Sequence, residues 1–264
     1  SGFKKIRRYN MGAKIYQNKK YIAFFLIPAF VFMLIFLYYP FIQNIINSFQ
    51  HIKYMGTAAE KWNAPFYKNY LEIFKDPKML IALKNTGIMI IATIVGEVGL
   101  AIVLSLLVSN IKKGAGFFRV VYFFPIVISA TALGLLFNLV FLYDKGMINQ
   151  LLQLIGVLDA GKNELIDWKA TYPMFTMLVP VIWQYVGFYF IILLTGLSGI
   201  PEDLYEAAEI DGASKLQQVR YVTLPLLRNS ICTCVVLAVT GALKVFDLPW
   251  TMFVNGMSNT WLTG

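Results

Sequence analysis

Five long apolar stretches constrain this chain more than any other feature. Residues 21–42 carry no charge, residues 87–108 carry only Glu97, and residues 120–142 and 170–201 carry none. Residues 229–243 are also uncharged, and the run continues past Lys244 toward Trp250. A helix of roughly 20 apolar residues crosses the ~30 Å hydrocarbon layer of a bilayer. The pattern therefore predicts an all-α, polytopic transmembrane helical bundle, with spans near 21–47, 81–109, 118–143, 173–199 and 229–250. A composition that is 58 % hydrophobic, with a mean hydropathy of +0.63, argues against a soluble domain with buried core helices. The runs are continuous rather than alternating, which excludes a membrane β-barrel.

Charge sets the expected orientation. Lys4, Lys5, Arg7, Arg8, Lys14, Lys19 and Lys20 crowd the segment 1–20. Such clusters stay in the cytoplasm and hold anionic lipid, at about 1 kcal/mol per residue near the surface. The net charge of +9 thus needs no nucleic-acid partner. With the N-terminus inside, Lys112, Lys113 and Arg119 fall on a cytoplasmic loop, and residues 144–172, richer in acids than bases, fall outside. Residues 48–80 run against the rule, since Lys53, Lys61, Lys68, Lys75 and Lys78 would lie outside. The first run is too long to be a cleavable signal.

Catalytic and metal signatures are absent. There is no phosphate-binding G-x-x-x-x-G-K-[ST], no G-x-S-x-G and no H-E-x-x-H. Cys232 and Cys234 stand two apart on an expected helix, point to different faces and cannot pair. His51 is the only histidine, and one imidazole without a Cys or acidic cluster makes no metal site. No catalytic residue, metal or cofactor is expected in this chain. Gly96, Gly99, Gly187, Gly196, Gly199 and Gly241 read as helix-packing residues. Glu97, an ionisable group inside a span, is a functional candidate by default, with a packing role as the alternative.

The fourth and fifth runs are separated by a polar stretch, residues 200–228. Pro201 fits the first turn of a helix, and Glu202 and Asp203 suit its positive end. On that helix Leu204, Ala207 and Ala208 form one stripe, and Glu202, Glu206 and Glu209 the opposite one. Asp211-Gly212 makes a turn, and Ser214 with Gln217 forms a capping box for a second short helix ending at Leu224-Pro225. Physical reasoning leaves two readings open: a docking element, or an ordinary interfacial amphipathic hairpin.

The spacing of this stretch resembles a known pattern. Glu206-Ala207-Ala208, then after three residues Gly212, then after nine residues Val222, one residue, and Leu224-Pro225, is similar to the EAA motif of ABC importer permeases. Valine stands where isoleucine is common. The wider string, with Ile210-Asp211-Gly212-Ala213-Ser214, resembles the carbohydrate (maltose-type) branch. Asn69-Tyr70, Phe74, Asp76 and Asn85-Thr86 resemble the segment before that branch's second span, and Val254-Asn255-Gly256 the segment after its fifth. The resemblance covers about residues 20 to 260. It implies a permease that imports a sugar or oligosaccharide by alternating access across a bacterial plasma membrane. The stretch would be a coupling helix, with Glu206, Ala207, Ala208, Asp211, Gly212, Leu224 and Pro225 contacting an ATPase. The implied partners are a second homologous permease, two ATPase subunits that hold ATP and Mg, and an extracytoplasmic sugar-binding protein. Such permeases carry a further span, expected to follow beyond Gly264.

Two segments match positions that line the sugar site in maltose-type permeases: Trp183, Gln184, Tyr185, Gly187 and Tyr189 in the fourth span, and Lys244, Phe246 and Asp247 at the end of the fifth. Aromatic faces with interleaved hydrogen-bonding groups suit a sugar, although belts at the membrane surface use the same residues. Lys244 and Asp247, three apart, would share a helix face and point to an acidic or amino sugar. Glu97 also feeds the rival class, an ion-coupled secondary transporter, and a non-sugar importer is the nearer alternative.

Overall fold

The computed structural model describes residues 19–53, 57, 59–109, 111, 114–158 and 165–253. The basic residues up to Lys14, with Lys112, Lys113 and Val254-Asn255-Gly256, lie outside the described residues. The chain forms two compact units, Ser1–Asp76 and Pro77–Gly264.

Among its described residues the first unit has α1 (Tyr21–Ser48), followed by the two-residue strands β1 (Gln50–His51) and β2 (Lys61–Trp62), antiparallel with Gln50 opposite Trp62, and then α2 (Lys68–Lys75). Helix α1 widens into a π turn at Leu34–Tyr38, where Tyr39 donates to the Leu34 carbonyl. Pro40 follows two residues later. It has no N–H, and its ring would clash with the carbonyl one turn back, so the wide turn relieves the conflict. The end of α1 is strapped down by α2. Asn69 Nδ2 donates to the carbonyls of Ser48 (2.9 Å) and Gln50 (3.0 Å), and the Tyr70 hydroxyl meets Ser48 Oγ at 2.7 Å. Helix ends leave carbonyls without intrahelical partners, and Asn69 supplies one.

The second unit holds α3 (Pro77–Ser109), α4 (Ala115–Phe123) with a 3₁₀ extension (Phe124–Val127), α5 (Ala130–Val140), α6 (Met147–Leu154), α7 (Trp168–Thr171) and α8 (Pro173–Ser198). After these come α9 (Asp203–Ile210), α10 (Lys215–Leu226), α11 (Arg228–Lys244) and α12 (Asp247–Met252). Helix α8 is central and packs against α3, α4 and α11. It buries Met177, Val181, Phe190, Leu193 and Leu194. A Cβ on Gly187 would overlap the Tyr122 carbonyl, so this glycine sets how closely α8 crosses α4. Core side chains form two clusters. One gathers Met89, Leu133, Phe141, Met177 and Leu248; the other gathers Val98, Ala101, Phe190, Leu193 and Cys234. Cys234 is buried and Cys232 exposed, as opposite faces require.

Two expected spans are not straight helices. Residues 118–143 form two helices, Ala115–Val127 and Ala130–Val140, bent by 95°. Pro125 sits in the 3₁₀ turn, Ile128 is extended, and Ser129 N-caps α5 by accepting from the Ala132 N–H at 3.2 Å. Residues 229–250 also break. Helix α11 ends at Lys244, Val245 is extended, and Asp247 opens α12. At its other end α11 meets α10 at 67°. Among the described residues, three helices are long and apolar enough to cross a membrane, or up to five if each bent pair counts as one span.

Between α5 and α8, the fully buried Asn149 organises the connection. Its Nδ2 donates to the carbonyls of Tyr143 (2.8 Å) and Ile166 (2.9 Å), and its Oδ1 accepts from Trp168 Nε1 (2.8 Å). A buried polar side chain needs such satisfaction.

Candidate functional site

A cavity of about 350 Å³ is lined by residues of both core clusters. Helix α3 contributes Met89, Thr93 and Glu97, four residues apart and so on one face. Helix α8 contributes Val181, Gln184, Tyr185, Phe188 and Tyr189, and the break after α11 contributes Lys244, Phe246 and Asp247. Of the residues singled out from sequence, Gln184, Tyr185, Tyr189, Lys244, Phe246 and Asp247 meet here. Glu97, read separately in the sequence, joins them. It lies in a π turn, Ile94–Gly99, is only 3 % exposed, and is hydrogen-bonded to the Tyr189 hydroxyl.

Trp183 and Gly187 are not part of the lining. Each lies two residues from Tyr185, about 200° round the helix. Trp183 is 40 % exposed and meets the Phe137 ring edge-on at 5.8 Å, while Gly187 faces α4. Gln184 has a structural duty as well. Its Nε2 donates to the Ile128 carbonyl at 3.0 Å, which pins the bend between α4 and α5 and leaves Oε1 for a ligand. Lys244 and Asp247 do not share a helix face, because the extended Val245 separates two helices. Among the described residues no ion pair joins them. Asp247 instead occupies the first turn of α12, where a carboxylate is favourable.

The polar stretch is a helix–turn–helix with both turn ends satisfied. Helix α9 closes in a Schellman motif: Ala213 N–H donates to the Ala208 carbonyl (2.9 Å) and Gly212 N–H to that of Glu209 (3.0 Å), with Gly212 at φ +77°. A side chain other than glycine is strained there. Ser214 and Gln217 make the expected capping box, at 3.4 Å and 2.7 Å. Two details differ from expectation. Pro201 precedes the helix rather than occupying its first turn, and its carbonyl accepts from Leu204 N–H at 3.3 Å. The half-buried face is Tyr205 and Ala208, while Leu204 and Ala207 are exposed with Glu206, Glu209 and Ile210. Leu224-Pro225 stands in the last turn of the second helix, which ends at Leu226, one residue beyond the expected end, before the 67° bend into α11. A π turn at Val219–Thr223 absorbs the proline, as in α1, and α10 runs on to Leu226.

The comparisons with known proteins agree with this architecture. Residues 101–264 match the family model described as binding-protein-dependent transport system inner membrane component. The chain is 35 % identical over 242 residues to the probable ABC transporter permease protein YurN of Bacillus subtilis, covering 91 % of this chain and 81 % of the relative. It is 32 % identical to the arabinooligosaccharides transport system permease protein AraP of Halalkalibacterium halodurans, covering 91 % and 74 %. A chain of a bacterial ABC transporter involved in the import of the acidic polysaccharide alginate superposes with a TM-score of 0.76 at 21 % identity, over 96 % of this chain and 82 % of that one. This last likeness speaks for the fold. The chain belongs to the binding-protein-dependent transport system inner membrane component family, the permeases of ABC transporters.

Proposed function

We propose that this permease carries a sugar or oligosaccharide into a bacterial cell by alternating access. The energy comes from ATP and Mg bound on two separate ATPase subunits. A second homologous permease completes the pathway, and an extracytoplasmic sugar-binding protein delivers the cargo. Sugar-transport relatives such as AraP support the cargo class, and the binding-protein-dependent family supports the delivery route.

The observation that carries this reading is the polar helix–turn–helix. It is locked at its turn, yet it presents Glu206, Ala207 and Ile210, the last 87 % exposed, to the outside. We assign it as the coupling helix. Ala207 permits close approach of an ATPase cleft, Glu206 offers a charge to a basic partner, and Asp211-Gly212 gives the turn. The N-terminus, this loop and Arg119 lie on the cytoplasmic side. The exposed apolar side chains of α1, including Phe24, Phe25 and Phe36, suit lipid contact.

The cavity lined by Gln184, Tyr185, Tyr189, Phe246, Lys244 and Asp247 is the sugar site in this reading. Its volume is near the low end for small-molecule sites. Aromatic rings meet sugar faces, and the amide and charged groups meet hydroxyls. Lys244 with Asp247 favours an acidic or amino sugar.

The test is reconstitution with the companion permease and ATPase, followed by ATP hydrolysis with a panel of sugar-loaded binding proteins. One class of sugar stimulates hydrolysis if the reading holds. Equal hydrolysis with every sugar and with none contradicts it.

A further inference from the structure

Helices α9 and α10 are adjacent in sequence, but the bonds at their turn fix only the chain's local path. A separate link joins them further from the turn. The Tyr205 hydroxyl lies 3.1 Å from Thr223 Oγ1, eighteen residues away, and Thr223 Oγ1 donates to the Gln218 carbonyl at 3.4 Å. Since the single Thr223 hydroxyl proton is spent on Gln218, Tyr205 is the donor in the first bond. Gln218 extends the chain, with Nε2 donating to the Ala213 carbonyl at 3.3 Å. Thr223 is 2 % exposed and Gln218 4 %. A relay of neutral hydrogen bonds therefore ties the middle of α9 to the π turn of α10 and back to the Asp211-Gly212 turn.

The setting makes this link mechanical. Tyr205, Gln218 and Thr223 border a cavity of about 710 Å³ whose other wall includes Arg119, Leu194 and Ser198. Open space of that size gives α9 room to tilt, so packing from this side does not hold it against α10. The two helices also lead to different levers. Helix α9 follows α8, which carries Gln184, Tyr185 and Tyr189. Helix α10 leads into α11, whose far end carries Lys244.

We propose that the Tyr205–Thr223 hydroxyl pair is a positioning contact that makes α9 and α10 one rigid body, so that a push on α9 moves α8 and α11 together. This inference rests on the coupling-helix reading above. Tyr205 and Thr223 touch neither cargo nor nucleotide; they act by holding the docking helix to the lever.

The test uses the reconstituted complex with Tyr205→Phe, Thr223→Val, the double variant, and Thr223→Ser. The readout is sugar moved per ATP hydrolysed, with co-purification of the ATPase as the control for assembly. Each single variant lowers uptake per ATP about threefold to tenfold, the size expected for one coupling contact, with assembly intact. Thr223→Ser keeps the hydroxyl and retains the ratio. The double variant is no worse than the poorer single one, because both remove the same bond. An unchanged ratio in both single variants, or two losses that simply add, overturns the proposal. Amide hydrogen exchange over residues 205–223 gives a second reading that needs no transport. Tyr205→Phe raises exchange in α9 and the π turn together, and unchanged exchange there contradicts the brace. Wild-type complex that hydrolyses ATP without moving any sugar overturns the functional reading instead, leaving the exchange result to decide on the brace.

Discussion

At the scale of single residues, identical amino acids carry very different demands. Gly187 and Gly87 are both glycines within helices, yet a Cβ on Gly187 would strike the Tyr122 backbone, whereas one on Gly87 meets nothing within 4 Å. Backbone cannot swing aside as a side chain does. Gly187→Ala therefore destabilises the permease by about 1–3 kcal/mol, and Gly87→Ala is neutral or slightly favourable. Thermal unfolding of the two variants in one detergent checks this, and equal midpoints would contradict the packing account. The sequence offered two readings of Gly187, a helix-packing glycine and, through the resemblance, a site residue. The structure bears out the packing reading and adds the neighbour, α4, since one sequence shows which residues share a helix face but not what that face meets. Asn149 went unnoticed for a similar reason. Its partners Tyr143 and Ile166 lie in loops on either side of α6 and Trp168 opens α7, and only the folded path brings them together.

At the scale of elements, apolar length was legible and bends were not. A hydropathy run over residues 118–143 has the same composition whether the helix is straight or broken. The break rests on three local features: Pro125, the Ser129 cap, and the bond from Gln184 on another helix. The first two are visible in sequence, and the third depends on packing. Ser129→Ala removes the cap and costs about 1 kcal/mol of stability. The measurement is the unfolding midpoint of this variant against Ser109→Ala, whose hydroxyl bonds only within its own helix. A smaller shift at Ser129 than at Ser109 would count against the cap. The π turns at Leu34–Tyr38 and Val219–Thr223 share one cause, since each ends two residues before a proline, Pro40 and Pro225. At Val219–Thr223 the wide turn carries the helix one residue past Pro225, and it ends at Leu226. By contrast the Asp211-Gly212 turn and the Ser214/Gln217 capping box were readable in full, because they depend only on residues within a few positions of one another.

At the scale of the whole molecule, the two separately read segments of the cavity come together. Gln184, Tyr185 and Tyr189 are some sixty positions from Lys244, Phe246 and Asp247, yet all line one cavity with Glu97. The polar loop lies between them in sequence, joined to α8 on one side and α11 on the other. An element that connects directly to both walls of a cavity is suited to switching that cavity between two states. An ion-driven mechanism would draw on Glu97 instead, and it differs from the ATP-driven one in what powers transport. The most direct measurement is sugar uptake into proteoliposomes that hold this chain with its companion permease, its ATPase and its loaded binding protein. Uptake that requires ATP, stops with vanadate and persists when a protonophore collapses the proton gradient is the predicted result. Uptake that proceeds without ATP and follows an imposed ion gradient would contradict the account.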